Sequence, residues 1–392
     1  MKIEEVNGER KPLAWKGLLR FQLIQNLFLF FVVLVVVVVE GEDWPPLDAK
    51  VNQSMEALKR LKHLDIRSNA ALNSALLKTL EKVKGRPEFV QLAIAFGLTD
   101  QDETLLAFIT AHPDTSEGLM ALDFLVKSRP TEILATALQG DELVSLVSVL
   151  GELPHEKASQ LLLNFSADPG HSLEHRKAAI RALCRTRSGV ASLLDHESSQ
   201  GLPQDLKLTA AYALNQLPWA DVKDKALDLI PLPAIKGEHA LPSIEVLAQQ
   251  QADIENGHQV FLKPESGCAM CHQIGDQGVD FGPGLSEIGD KLGKDALFQS
   301  ILDPNGGISF GFEGWELVMK SGEEWTGIII GETEQSVTMK NQSGLLLTLE
   351  KESIESRSQM KSSLMPSGLQ QAMTVQDLVD LVGYLSNLRK SH

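Results

Sequence analysis

Residues 268–272 read Cys268-Ala269-Met270-Cys271-His272, and this run decides the fold class of the C-terminal third of the chain. A Cys-x-x-Cys-His run is the attachment signature of a c-type haem. The two thiols can bond successive vinyl groups of one porphyrin as thioethers, and the adjacent imidazole can coordinate the iron. The sequence therefore predicts one covalently bound haem c, with Cys268 and Cys271 as attachment residues and His272 as the proximal ligand.

Two other kinds of site use a cysteine pair. A thioredoxin-like redox pair needs a strand-to-helix setting, whereas residues 257–265 have the pattern of the end of an amphipathic helix. A half zinc site needs a second Cys or His pair at ligand spacing, and the sequence of this region has none. The third cysteine of the chain, Cys184, lies in an Ala- and Leu-rich segment and is predicted to be a small core residue.

The length and charge of the chain limit its number of domains and the kinds of partner it can bind. A chain of 392 residues with 43% hydrophobic content predicts two or three domains with sizeable cores. The net charge is −16, and residues 253–392 hold 20 acidic and 10 basic residues, a net −10. This balance argues against a nucleic-acid partner. The acidic excess serves either solubility or the docking of a basic redox partner.

Residues 1–44 are predicted to be a targeting segment, because a basic stretch precedes an unbroken apolar run of 13 residues, 27–39. Counted from residue 18, the apolar stretch reaches 22 residues, which is long enough to span a bilayer. The segment is therefore either an uncleaved membrane anchor or a signal peptide cleaved after Gly41. Both predict export, with the protein anchored to the inner membrane on its periplasmic side or released into the periplasm.

Residues 45–251 have the pattern of a succession of short amphipathic helices broken by Pro, Gly and Asp. Two segments, 176–183 and 208–214, are the most alike and lie about 31 residues apart. Similar Ala-Leu helices at a near-constant period favour a HEAT-like α-solenoid, although a plain helical bundle would bury similar apolar stripes. We expect this region to serve as a docking or scaffold domain.

Residues 252–392 are predicted to form the haem domain, and Met365 is the candidate distal iron ligand. It lies in the run Ser363-Leu364-Met365-Pro366, where Pro366 favours a stiff extended backbone before it. A thioether is a soft, neutral donor, so a His/Met pair suits an electron carrier. The competing candidates are Met319, Met339, Met360, Met373 and His258, of which Met360 is the nearest rival.

Two helices, 252–262 and 374–388, are predicted to open and close the haem domain. The first carries Gly257, and a glycine lets another backbone approach closely, so we expect the helices to cross with Gly257 near Tyr384. The loop 282–285 follows the attachment motif. Its Pro283 and Leu285 are predicted to lie against the haem, with a loop carbonyl accepting the Nδ1–H of His272; the alternative is that this loop is a simple turn.

An insertion at residues 312–355 separates His272 from Met365. Its apolar residues alternate with a period of two, and Gly- and Asn-containing turns interrupt them, which predicts a meander of four antiparallel strands. The insertion lies between the two ligand candidates, so it is expected to pack beside the haem. Trp315 and Trp325 are predicted to be core residues of its sheet.

Residues 253–392 resemble the C-terminal haem-binding cytochrome c domain common in planctomycete and verrucomicrobial proteins. Gly284 and Ser367 depart from the family's usual residues, and neither is a proposed iron ligand. The resemblance rests on these motifs, in the family's order: Gly257-x-x-Val260-Phe261, Cys268 to His272, Gly282-Pro283-Gly284-Leu285, Ile301-Leu302-Asp303-Pro304, Ser363-Leu364-Met365-Pro366-x-Gly368-Leu369, and Asp377-Leu378-Val379-Asp380-Leu381-Val382-x-Tyr384-Leu385.

The resemblance implies electron transfer coupled to oxidation of a substrate by another module, so a dehydrogenase is the expected partner. The fold expected for the chain is mainly α, with helical repeats followed by a small class I-like cytochrome c domain that carries the β insertion. An electron carrier rather than an enzyme is expected. A haem sensor or peroxidase with a labile distal ligand, and an interaction scaffold with a regulatory haem, are the alternatives.

Overall fold

The computed structural model describes residues 44–62, 69–140, 143–233 and 241–390. The predicted targeting segment lies outside these ranges except for its last residue, Trp44. The chain divides into two compact units, Met1–Pro45 and Pro46–His392, and the described helices and strands all belong to the second. Within the described ranges no helix is long and apolar enough to cross a membrane.

The first part of the second unit, up to residue 251, consists of helices joined by short connections, and we call it the helical region. Helices in this region pack on the next helix along the chain and on the helix after that; α8, for example, packs on both α9 and α10. The helices are α1 (Ala49–Arg60), α2 (Ala70–Lys82), α3 (Pro87–Ala95), α4 (Asp102–Ala111), α5 (Ser116–Ser128), α6 (Thr131–Ala137), α7 (Leu143–Leu150), α8 (Glu156–Ala167), α9 (Leu173–Leu183), α10 (Arg187–Ser199), α11 (Gln204–Asn215), α12 (Ala220–Leu229) and α13 (Ile244–Ala248).

Two helix beginnings in the helical region share one local design. Thr115 caps α5 by accepting a hydrogen bond from the amide of Gly118, and Thr186 caps α10 by accepting one from Gly189, both at 3.1 Å. A Cβ at either glycine would overlap the carbonyl oxygen at the end of the preceding helix. The glycine therefore lets the start of each helix lie directly against the end of the helix before it.

The C-terminal region, residues 252–390, holds the haem-attachment motif. It opens with α14 (Ile254–Leu262), which is followed by β1 (Gln273–Ile274), β2 (Gln277–Gly278), α15 (Ile288–Lys291) and α16 (Lys294–Leu302). It closes with α17 (Val375–Asn387), which begins with a capping box between Thr374 and Asp377. The two predicted terminal helices are confirmed, each within two residues of its predicted bounds.

Helices α14 and α17 cross at Gly257, as the sequence predicts. A Cβ at this position would overlap the carbonyl oxygen of Asp380 and lie 2.7 Å from the Cβ of Tyr384. Beside the crossing, the buried Asp380 carboxylate accepts hydrogen bonds from the backbone of Asp253 at 2.8 Å and from the side chain of Asn256 at 2.7 Å. These bonds satisfy the buried side-chain oxygens of Asp380, whose burial without hydrogen-bond partners would cost free energy.

The insertion forms a five-stranded antiparallel sheet with the order β6-β5-β4-β3-β7. Its strands are β3 (Gly314–Met319), β4 (Glu324–Glu332), β5 (Ser336–Lys340), β6 (Leu346–Glu350) and β7 (Ile354–Gln359). The first four correspond to the predicted meander. The fifth was not predicted, because five of its six residues are exposed and it lacks an alternating apolar pattern.

Strand β7 returns to the start of the insertion. It pairs with β3, and the amide of Met360 donates a hydrogen bond to the carbonyl oxygen of Gly314 at 2.8 Å. The chain therefore enters and leaves the sheet at neighbouring positions.

The sheet packs on both parts of the molecule. In the C-terminal region, Ile328 contacts Phe281 and Leu364. In the helical region, the indole of Trp219 donates to the hydroxyl of Thr326 at 3.2 Å, and Lys127 forms an ion pair with Glu323 at 2.9 Å.

The two tryptophans of the sheet are half-buried instead of central. Trp315 and Trp325 pack against a core of Leu317, Val337 and Met339. The guanidinium of Arg357 lies 4.4 Å from the centre of the Trp315 ring. Both tryptophans therefore contact the sheet core, as predicted, but they are less buried than the core residues themselves.

We expect Gly257→Ala to lower the free energy of unfolding by about 1–3 kcal/mol, because the added methyl group must push α14 away from α17. Thermal or urea unfolding of the haem-loaded protein measures this loss. Gly140→Ala is the control, since a Cβ there meets no atom closer than 3.4 Å. Equal stability of the two variants would contradict the close crossing.

Candidate haem site

The attachment motif forms a compact turn. Cys268–Met270 is a 3₁₀ turn that starts after Gly267, whose φ of 74° is in the left-handed region. The amides of Cys271 and His272 both donate to the carbonyl oxygen of Cys268, at 3.2 and 3.0 Å. As a result Cys268, Cys271 and His272 all line one cleft.

The imidazole of His272 is oriented by its own neighbouring loop. Its Nδ1 lies 2.8 Å from the carbonyl oxygen of Pro283, which is the contact predicted from the sequence. A carbonyl can only accept, so Nδ1 carries the hydrogen and Nε2 keeps its lone pair for a metal. Burial lowers the pKa of His272, although the bond to Pro283 acts in the opposite direction. The neutral, ligating form is thereby favoured.

Gly282 lies directly against the imidazole. A Cβ at this position would be 2.8 Å from Cε1 and 3.0 Å from Nδ1 of His272. Any side chain here would therefore press on the ring that the Pro283 carbonyl orients. The sequence pattern predicts only a loop at Gly282 and not this contact with the ring. The available signal is a glycine that lies 10 residues after His272 and directly before Pro283.

The two motif thiols do not resemble a redox pair. Burial raises the pKa of Cys268 to about 11 and that of Cys271 to about 12. Reactive Cys-x-x-Cys pairs have lowered thiol pKa values and follow a strand, whereas this pair follows α14. In the part of the chain that the structure describes, no group of three or more His, Cys, Asp or Glu residues could hold a metal ion. Both alternatives, a thioredoxin-like pair and a zinc site, therefore lack structural support.

The cleft beside the motif is large and mainly apolar. Its empty volume is about 1270 Å³, part of which is open to solvent. Pro283 and Leu285, which are predicted to lie against the haem, are part of its lining. The apolar walls come from α14, α16, α17, the connecting loops and the sheet, and include Phe261, Phe281, Ile288, Leu297, Ile301, Ile308, Phe312, Ile328, Leu381 and Leu385. A flat, hydrophobic macrocycle held by two thiols fits such a cleft.

Met365 lines the same cleft as His272. Its backbone is held by hydrogen bonds: the amide of Met365 donates to the hydroxyl of Ser363 at 3.1 Å, and the amide of Ser363 donates to Asn305 at 2.8 Å. Two candidate ligands from segments 93 residues apart therefore share one cavity.

The rival ligand candidates are not part of the cleft lining. Met360 packs against three residues that line the cleft, Phe281, Ile328 and Leu364. Met319, Met339 and Met373 are buried in other contacts. The ring nitrogen Nε2 of His258 lies 2.8 Å from the side-chain oxygen of Gln277. None of these five side chains belongs to the described lining of the cleft.

Residues 254–332 match the family model described as cytochrome c. This stretch contains α14 and the attachment motif and ends within the sheet insertion, before Met365 and α17. The C-terminal region therefore contains a cytochrome c domain, which implies covalently bound haem c and indicates electron transfer. No curated protein matches the chain.

We expect Gly282→Ala to tilt the His272 imidazole and to reduce the fraction of low-spin haem, while both thioether bonds still form. Absorption and electron paramagnetic resonance spectra of the ferric protein measure this fraction. Gly284→Ala is the matched control two residues away, because a Cβ there meets no atom within 4 Å. Identical spectra for the two variants would show that Gly282 does not set the ring position.

Proposed function

We propose that the protein is an exported monohaem c-type cytochrome that carries electrons. The observation that supports this function most directly is that Cys268, Cys271, His272 and Met365 all line one apolar cleft. When bound there, the haem iron takes up and releases one electron. Residues 252–392 form the haem domain in this proposal.

The residues of the chain have separate tasks. Cys268 and Cys271 would hold the porphyrin as thioethers. The carbonyl oxygen of Pro283 keeps the Nδ1 proton on His272, which leaves the Nε2 lone pair free for a metal. Met365 supplies a neutral thioether, which favours the reduced state and raises the reduction potential. The apolar walls would limit the access of water to the haem, which lowers the reorganisation that accompanies electron transfer.

The presence of His272 and Met365 in one cleft also favours a carrier over an enzyme, because the protein would then supply both iron ligands and leave no position for a substrate. A haem sensor or peroxidase with a labile distal ligand is the alternative, and it requires Met365 to leave the iron readily. A scaffold with a regulatory haem is the other alternative, in which the helical region performs the main task.

We propose that residues 45–251 form a HEAT-like repeat domain that docks a redox partner. The same Thr cap and inward-facing Gly occur at Thr115 and Gly118 and again at Thr186 and Gly189, which supports repetition of one helical unit. The resemblance of residues 253–392 to haem domains that accompany dehydrogenase modules supports a dehydrogenase as the electron donor.

The proposed location is the periplasmic side of the inner membrane. Haem c is attached to exported polypeptide, and residues 1–44 have the composition of an export segment. Retention of this segment anchors the protein, whereas its cleavage releases the protein into the periplasm.

Replacing both motif cysteines, in Cys268→Ala/Cys271→Ala, is expected to abolish covalent haem attachment. Expression with a haem c maturation system and haem staining of the denatured protein measure attachment. Cys184→Ala is the control, because Cys184 is buried in the helical region and should leave attachment intact. Haem that stays bound to the denatured double variant would overturn the assignment.

Met365→Ala is expected to remove the sixth-ligand signature of the ferric haem and to lower the reduction potential. Met360→Ala is the matched control, since Met360 is not part of the cleft lining, although it packs against the lining residues Phe281, Ile328 and Leu364. Low-spin ligand spectroscopy and a redox titration measure the two effects. An unchanged signature in Met365→Ala would exclude Met365, and rapid binding of carbon monoxide by the reduced wild type would favour the sensor or peroxidase alternative.

A further inference from the structure

The C-terminal end of α11 touches both segments that carry the proposed iron ligands. Asn215, its last residue, is fully buried and donates from Nδ2 to the carbonyl oxygen of Gly368 at 3.2 Å. The next residue, Gln216, donates from Nε2 to the carbonyl oxygens of Pro264 and Glu265, at 2.6 and 3.0 Å. Adjacent residues of the helical region thus bind two separate segments of the C-terminal region, residues 252–390, which we call the haem region from here on.

These two segments lie beside the ligands. Pro264 and Glu265 precede the attachment cysteine Cys268 by four and three residues, and Gly368 follows Met365 by three. The side chain of Gln216 also packs on Gly267, where an added Cβ would lie 3.0 Å from its amide carbon.

Lys223 of α12 strengthens the contact with the Met365 segment. Its Nζ donates to the carbonyl oxygens of Ser367 and Asn215, both at 2.5 Å. Burial lowers the pKa of Lys223 to about 8, so the ammonium remains charged at neutral pH. Hydrogen bonds from charged donors are about twice as strong as neutral ones. Lys223 therefore ties the end of α11 and the Met365 segment together.

A small cleft lies at this junction and confirms that the two segments meet there. Its lining includes Gln216 from the helical region, Gly267 and Cys271 from the attachment segment, and Pro366 and Leu369 from the Met365 segment. The residues that follow Met365 therefore lie next to those around the attachment motif, with the end of α11 beside both.

We propose that Asn215, Gln216 and Lys223 form a clasp, through which the helical region holds the Met365 segment against the attachment segment and restricts access to the distal side of the haem. The three are positioning residues, and the inference rests on the proposed role of Met365.

Within the haem region, Asn305 holds the beginning of the Met365 segment through Ser363 and also donates to the hydroxyl of Ser367 at 3.1 Å. The clasp holds the end of the segment, where the carbonyl groups of Ser367 and Gly368 point to the helical region.

Through the clasp, the ease with which Met365 is displaced depends on the position of the end of α11 in the helical region. A ligand from solution must displace Met365, and displacement requires its segment to move. Because the clasp bonds must break during that movement, any partner that shifts the end of α11 also changes the rate at which the segment opens.

The test compares Lys223→Met and Gln216→Ala with two controls in the full, haem-loaded protein. Lys225→Met makes the same charge change at an exposed position of α12, and Gln204→Ala makes the same truncation at the exposed first residue of α11. One measurement is amide hydrogen exchange of residues 363–369, followed by mass spectrometry. The other is the rate at which imidazole replaces the distal ligand of the ferric protein.

We expect exchange in residues 363–369 and the imidazole rate to rise at least tenfold in Lys223→Met, and both to rise in Gln216→Ala, with the two controls at wild-type values. Exchange in Lys223→Met equal to that in Lys225→Met overturns the clasp. Faster exchange with an unchanged imidazole rate overturns its control of the distal side.

The exchange measurement does not depend on iron ligation. Failure of the proposed His/Met ligation is seen separately, as an unchanged distal signature in Met365→Ala.

Discussion

The close crossing of α14 and α17 at Gly257 is the constraint on which the haem region depends. The attachment motif follows α14 and the Met365 segment precedes α17, so the crossing brings the two segments to one place. The same helices supply Phe261, Leu381 and Leu385 to the walls of the cleft. A wider separation of the helices would therefore change both the distance between the ligand segments and the shape of the cavity.

The helical region contributes to the haem site through polar groups as well as shape. The buried carboxylate of Glu152 forms an ion pair with Arg185 and accepts hydrogen bonds from Asn341 and Ser343 in the turn between β5 and β6. Such a pair adds little net stability, but breaking it leaves a buried charge and is costly. These bonds fix the sheet relative to the helices, and the sheet in turn closes one side of the cleft.

Much of the site could be predicted because its signals are local. The attachment run, the Gly of the helix crossing and the Met-Pro pair each fall within a few residues, and each has a specific physical reason. Strand β7 could not be predicted, because its side chains are mostly polar and its pairing with β3 depends on the backbone. The contacts of Asn215 and Lys223 could not be predicted from a local sequence pattern either, since each side chain binds a carbonyl group more than 140 residues away along the chain.

The sheet insertion begins and ends at hydrogen-bonded neighbours, Gly314 and Met360. A segment joined to its host at one point can gain or lose residues at its far end without changing the path of the chain on either side. The β4–β5 turn, where Thr333 bonds other residues of the sheet insertion, can therefore vary in length while the segments of the candidate ligands keep their positions. The wall of the cavity that includes Ile328 belongs to a segment separate from those that carry the proposed iron ligands.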